Sequence, residues 1–159
     1  MSSDLATVAR ALVAPGKGIL AADESSPTIK KRFDSIGLES TEDSRRAYRE
    51  MLFTTGGVGE FISGVILYEE TLRQKASNGK SMVDILRANG IQPGIKVDKG
   101  TKTLPRTKDE KITEGLDGLR ERLIEYKALG ATFAKWRAVI TIGNDIPSDD
   151  CLATNAHAL

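Results

Sequence analysis

The chain reads as an α/β protein built on a parallel sheet covered by helices. Three observations predict this. Short apolar runs without helical period alternate with amphipathic stretches of helical period, glycine and proline fall between them, and charged residues gather at the C-terminal ends of the apolar runs.

The elements follow in order. Leu5, Val8, Ala9 and Leu12 keep helical spacing, Ser3 is a candidate cap, and Pro15-Gly16 ends the pattern. Gly18–Ala22 is an apolar run bounded by glycine and by Asp23-Glu24-Ser25-Ser26, and reads as a buried strand. Pro27 suits the first turn of a helix capped by Ser26, with Ile29, Phe33 and Ile36 as its stripe and Gly37 as its stop. Thr41, followed by Glu42 and Asp43, opens another helix, whose buried face is expected from Ala47, Tyr48, Met51 and Leu52. Gly56-Gly57-Val58-Gly59 is a plain turn, since it lacks the order strand, glycine motif, helix of a dinucleotide-binding loop. A strand over 61–67, a helix over 81–89, a strand over 91–97, a helix over 113–129 and a strand over 132–140 continue the alternation, with 105–111 as an exposed loop.

Near the end, Ser148 caps a helix with Asp149 and Asp150 in its first turn and a stripe of Leu152, Ala153 and Ala156. That stripe reaches Leu159 without a terminating glycine or proline, so the expectation is one domain, residues 1–159, truncated within the helix that starts near 148. Four strands also fall short of a closed (β/α)₈ barrel, which needs eight strands and roughly 250 residues.

Composition narrows the function. The 159 residues are 40% hydrophobic and 28% charged, as in a globular domain. Because 23 basic and 22 acidic residues nearly cancel, there is no field that would draw nucleic acid or an anionic membrane. One cysteine, Cys151, forms no internal disulfide, and the single histidine, His157, cannot anchor a zinc site, so no metal is expected. With neither a signal-peptide core nor an apolar span, a cytoplasmic location is expected.

Charge at the strand ends carries the chemistry. Alternation puts Lys96 and Asp98 on one face, and Lys135 and Arg137 on one face, while Asp23 follows the first strand and Glu69 lies near the end of the second. A lone lysine there would snorkel to water. Several together, at the strand edge where parallel α/β folds build active sites, make a mixed cluster suited to a phosphorylated substrate. Ser25-Ser26-Pro27 reads by default as a helix cap, and a helix N-terminus is also a ready phosphate cradle. Trp136 and Tyr68 read as packing residues.

Four segments match one family in order and spacing. GKGILAADES over 16–25, GVILYEE over 64–70, GIKVDKG over 94–100 and AKWR over 134–137 resemble class I fructose-bisphosphate aldolase, and LDGLRER over 116–122 with Pro147-Ser148 fits as well. The resemblance implies a (β/α)₈ TIM barrel, of which this chain supplies about the first four β/α units. It implies a glycolytic lyase that cleaves fructose 1,6-bisphosphate through a Schiff base, without a cofactor, and forms homo-oligomers when complete. By that resemblance Asp23 assists bond cleavage and carbinolamine chemistry, and Lys135 polarises intermediates. Lys96 with Ser25 holds a substrate phosphate, Lys31 and Arg32 line that region, and Arg137 meets the substrate's other polar end. Thr28 stands where many members carry serine, and Ser26-Pro27 replaces the commoner threonine-glycine. The family's Schiff-base lysine and principal acid/base glutamate come from its sixth and fifth strands, and neither has a counterpart among these residues. The alternative expectation is a non-catalytic half barrel that serves as a binding or assembly module.

Overall fold

The computed structural model describes residues 4–159, and the proposed cap Ser3 lies outside them. The elements are α1 (Leu5–Leu12), β1 (Gly18–Ala22), α2 (Ser26–Asp34), α3 (Glu42–Thr54), α4 (Val58–Phe61), β2 (Ile62–Leu67), α5 (Glu69–Arg73), α6 (Met82–Ala88), β3 (Gln92–Lys96), β4 (Thr101–Thr103), β5 (Lys111–Thr113), α7 (Leu119–Ala128), β6 (Phe133–Lys135) and α8 (Asp149–Ala158). A four-stranded sheet runs in the order β1-β2-β3-β6, with β1-β2 and β2-β3 parallel, and β4 pairs with β5 in a separate antiparallel hairpin. The α/β class and the parallel sheet are as expected.

The chain divides into two compact units, one comprising Met1–Lys96 and Ile124–Ala134, the other Val97–Leu123 and Lys135–Leu159. In the first, β2 and β3 are the buried strands, and Val65, Leu67, Ile95, Met82, Leu86, Ile29 and Phe53 form an apolar core. Two glycines make room in it. A Cβ on Gly94 would stand 2.2 Å from Phe133 Cζ, and one on Gly64 2.5 Å from Leu12 Cδ2, so the absent side chains let α1 and the Phe133 ring approach the sheet. Ser63 Oγ donates to the Leu12 carbonyl at 2.6 Å and ties α1 down.

Several expectations are corrected. β1 is mostly exposed, with only Ala22 buried, because β1 comes first in the sheet order and has a strand on one side only. The cap of α2 is Ser25, one residue earlier than Ser26, and Ile36 lies outside the helix and exposed. On α3 the buried residues are Arg49 and Phe53 while Met51 is exposed, so the face is rotated from that of Ala47, Tyr48, Met51 and Leu52. Thr41 does cap α3, in a reciprocal box with Ser44. Val58–Phe61 forms one helical turn and β2 begins at Ile62.

The second unit departs further. Residues 105–111 are not simply an exposed loop, since Glu110 is buried and Lys111 begins β5. The helix expected from Thr113 starts at Leu119, because Thr113 is the buried last residue of β5 and its hydroxyl donates to the Arg137 carbonyl at 2.7 Å. β6 stops at Lys135 rather than residue 140, so Arg137 lies beyond the strand and the alternation argument does not apply to it. On α8 the buried residues are Cys151 and Asn155, and Leu152 of the expected stripe is exposed. Asn155 Nδ2 donates to the Lys111 carbonyl at 2.9 Å, which explains why a polar residue faces inward. Glu110 accepts from the Ser148 backbone N–H at 2.6 Å and from the Ser148 hydroxyl at 2.7 Å, holding the start of α8. Those bonds hold the Glu110 carboxyl below its ordinary value, while burial raises the Cys151 thiol.

Candidate active site

Strand register builds the site's first part. Ala22 of β1 aligns with Leu67 of β2, and Leu67 with Ile95 of β3. The next residue of each strand line, Asp23, Tyr68 and Lys96, therefore emerges along one C-terminal edge of the sheet. Asp23 and Lys96 are both half-buried there, and each has interaction partners.

After Asp23 the chain turns into α2. Ser25 keeps extended geometry at the cap, φ −64° and ψ 158°, and its side chain makes no capping bond. Its hydroxyl lies 3.0 Å from the Thr28 hydroxyl. Thr28, Lys31 and Arg32 are exposed on that helix; the two hydroxyls stand at its N-terminus and the two cations in its last turn. Arg32 is engaged in a close ion pair with Glu24.

Beneath this edge lies a charged network that the hydrophobic periodicity concealed. Arg49 is fully buried, with 0% of its surface exposed. Its Nη2 donates to the Glu24 carbonyl at 2.7 Å, its Nη1 stands 3.5 Å from Glu70 Oε1, and its guanidinium lies 5.8 Å from the centroid of the Tyr68 ring. Glu70 in turn receives Arg45 in two-point contact, Nε to Oε1 at 2.9 Å and Nη2 to Oε2 at 2.6 Å. Burial lowers the Arg49 pKa, against the attraction of Glu24 and Glu70, whereas the hydrogen bond to Glu70 raises that of Arg45. The available signal was spacing: Arg45, Arg49 and Phe53 recur every four residues, and Phe53 is the large apolar member of that row. Glu69, expected at the strand-end cluster, is the first residue of α5 and pairs with Arg73 at 3.2 Å.

The remaining candidates belong to the second unit. Lys135 is the half-buried last residue of β6, and its carbonyl accepts from the Val97 N–H at 3.1 Å. Arg137 is exposed. Asp98 is buried and caps a turn by accepting from the Gly100 N–H at 3.1 Å, so its alternation with Lys96 ends outside β3. Thus Asp23, Ser25, Thr28, Lys31, Arg32 and Lys96 share the first unit, and Lys135, Arg137 and Asp98 the second. Among the described residues no group of three or more His, Cys, Asp or Glu is placed to hold a metal ion, and no helix is long and apolar enough to cross a membrane.

Comparison with known proteins agrees with the motifs. The family described as fructose-bisphosphate aldolase class-I matches residues 4–159. A probable class 1 fructose-bisphosphate aldolase of Xanthomonas axonopodis pv. citri (strain 306) is 59% identical over 155 residues, covering 98% of this chain and 46% of that protein. Fructose-bisphosphate aldolase 1 of Toxoplasma gondii is 58% identical over 161 residues, covering 100% of this chain and 44% of that protein. Among solved structures, the fructose-bisphosphate aldolase of Plasmodium falciparum, determined with TRAP and a small-molecule inhibitor, superposes with a TM-score of 0.94 at 55% identity, over 98% of this chain and 45% of that one. The chain spans about half the length of the relatives it matches, and its four-stranded sheet corresponds to part of their TIM barrel. By its motifs, its strand order and these likenesses, the chain belongs to the class I fructose-bisphosphate aldolase family.

Proposed function

We propose that the protein to which these residues belong cleaves fructose 1,6-bisphosphate to dihydroxyacetone phosphate and glyceraldehyde 3-phosphate, and that this chain supplies assisting groups. The observation that carries the proposal is the aligned strand edge, with Asp23 one residue past the end of β1 and Lys96 the last residue of β3, in a chain of this family.

The chemistry assigns each group a task. An iminium formed between a lysine and the substrate ketone withdraws the electron pair released when the carbon-carbon bond breaks. That lysine comes from residues other than the ones described above. Asp23 moves protons: as a carboxylate it takes one from the carbinolamine or the breaking alcohol, and as an acid it returns it. Lys135, as an ammonium, polarises oxygen at the reacting carbon. A phosphate is dianionic and needs several donors at once; Ser25, Thr28, Lys31, Arg32 and Lys96 supply hydroxyls and cations, with Arg137 for the substrate's other polar end. The reaction needs no cofactor or metal. A cytoplasmic homo-oligomer acting on a phosphorylated sugar, with neither nucleic acid nor membrane as partner, completes the proposal.

The test is aldol cleavage by the complete protein. Asp23→Asn is expected to lower kcat by about 10²- to 10⁴-fold, the range general acid-base catalysis contributes. Lys96→Met is expected to act mainly through KM. A complete protein that cleaves fructose 1,6-bisphosphate equally well with Asp23→Asn would contradict the role given to Asp23.

A further inference from the structure

We infer that Arg49 is a positioning residue for Asp23, acting through the main chain of Glu24; the inference rests on the aldolase role proposed for Asp23.

The physical case begins with an imbalance. A fully buried guanidinium gives up its hydration, and an apolar side chain of similar volume would commonly stabilise such a site as well or better. Arg49 recovers only part of that cost. Its Nε and Nη1 have no hydrogen-bond partner, its Nη2 stands 3.9 Å from Glu24 Oε2, and its contact with Glu70 is an ion pair of 3.5 Å. Its one short hydrogen bond, 2.7 Å, goes to a peptide oxygen, that of Glu24. The peptide so held joins Glu24 to Ser25, directly after Asp23 and directly before the first helical residue of α2.

Two helices grip this tripeptide from separate directions. From α3, Arg49 holds the Glu24 carbonyl, and Arg45 keeps Glu70 in place beside Arg49. From α2, Arg32 holds the Glu24 carboxylate. Glu24 is therefore a hub whose main chain answers to Arg49 and whose side chain answers to a proposed phosphate ligand. Residues 23–25 lie between the end of β1 at Ala22 and the start of α2 at Ser26, where no strand ladder fixes them. A main-chain anchor there sets the direction of the Asp23 carboxylate and of the Ser25 hydroxyl. A carboxylate that moves protons must meet its partner to within a fraction of an ångström, and misplacement by about 1 Å costs on the order of 10²-fold in rate.

The experiment uses the complete protein, assayed unsubstituted, as Arg49→Met, as Arg49→Lys and as Phe53→Leu. Phe53 lies on the same face of α3, is equally buried and, as an apolar side chain, supplies no hydrogen bond or ion pair to the charged network, so Phe53→Leu reports what a loosened α3 does by itself. Each variant is assayed well below its own melting temperature. Arg49→Met is expected to lower kcat by about 10- to 100-fold with KM for fructose 1,6-bisphosphate nearly unchanged, Arg49→Lys to recover part of the loss, and Phe53→Leu to lower the melting temperature while keeping kcat. Should Arg49→Met not fold, Arg49→Lys carries the same kcat-against-KM split, since the shorter, compact ammonium reaches the Glu24 carbonyl poorly. A folded Arg49→Met or Arg49→Lys with unchanged kcat, or an equal kcat loss in Phe53→Leu, would overturn the positioning role while leaving the aldolase proposal intact. An unsubstituted protein that does not cleave the sugar would overturn the aldolase proposal itself.

Discussion

The two compact units of this chain are held together by different means. In the first, large apolar side chains do most of the work: Ile29, Phe53, Val65, Leu67, Met82, Leu86, Ile91 and Ile95 are all essentially inaccessible to water. In the second, among the described residues, Val97 and Cys151 are the buried apolar members, beside buried Asp98, Glu110, Thr113 and Asn155. Its elements are secured mainly by directed polar contacts: Glu110 to Ser148, Asn155 to Lys111, Thr113 to Arg137, and Arg122 to the carbonyls of Val97, at 2.9 Å, and Gly115, at 2.5 Å. Apolar burial is non-directional and independent of protonation, whereas a buried polar contact is strong only while both partners are present and correctly charged. The first unit should therefore respond most to changes of volume, and the second to changes of charge.

The largest effect is expected in the first core. Leu86→Ala should cost about 2–5 kcal/mol, as deletion of a buried leucine does, measured by denaturant unfolding with hydrogen exchange read at α6 and β3. Gly94→Ala should cost about 1–3 kcal/mol by overpacking, because its Cβ would collide with the Phe133 ring; a double variant with Phe133→Leu should restore part of that loss.

Smaller effects belong to the second unit. Ser148→Ala removes a cap whose side chain accepts from the Cys151 N–H at 3.2 Å, and should cost about 1 kcal/mol, seen as faster exchange in α8. pH sharpens the contrast. The Glu110 carboxyl is held below its ordinary value of 4.5 by the Ser148 backbone N–H and hydroxyl. Its contribution is thus fully present above that ordinary value and is lost as pH falls through the lowered one. Acid titration followed by exchange at α8 should show this loss in the parent and not in Glu110→Gln. The smallest effect is Met51→Gln, expected within about 0.5 kcal/mol of the parent, since Met51 is exposed although its helical spacing marked it for the core.

Legibility followed the same division. β1, β2, β3, α6 and the Thr41 and Ser148 caps were readable because apolar runs, glycine stops and short hydroxyl caps are local signals. The face of α3 was misread because a charged residue, Arg49, occupies the inward row that periodicity reserves for apolar ones. In the second unit, Thr113 and Asn155 turn inward to satisfy carbonyls distant in sequence, Arg137 and Lys111, and no local pattern announces such a partner. The one-turn helices α4 and α5 are too short to show a period. Among the candidate site residues, Asp23 and Lys96 were legible as charges at strand ends, and strand register puts them on one edge; the pairing of Glu24 with Arg49 was not, since Arg49 meets Glu24 at its main-chain carbonyl.

The most direct test of the claim that this chain assists rather than forms the covalent intermediate is borohydride trapping of the complete protein with dihydroxyacetone phosphate, followed by mass mapping of the modified peptide. The reduced adduct is expected on a lysine outside residues 1–159. An adduct on Lys96 or Lys135 would contradict the claim and make this chain the seat of the nucleophile.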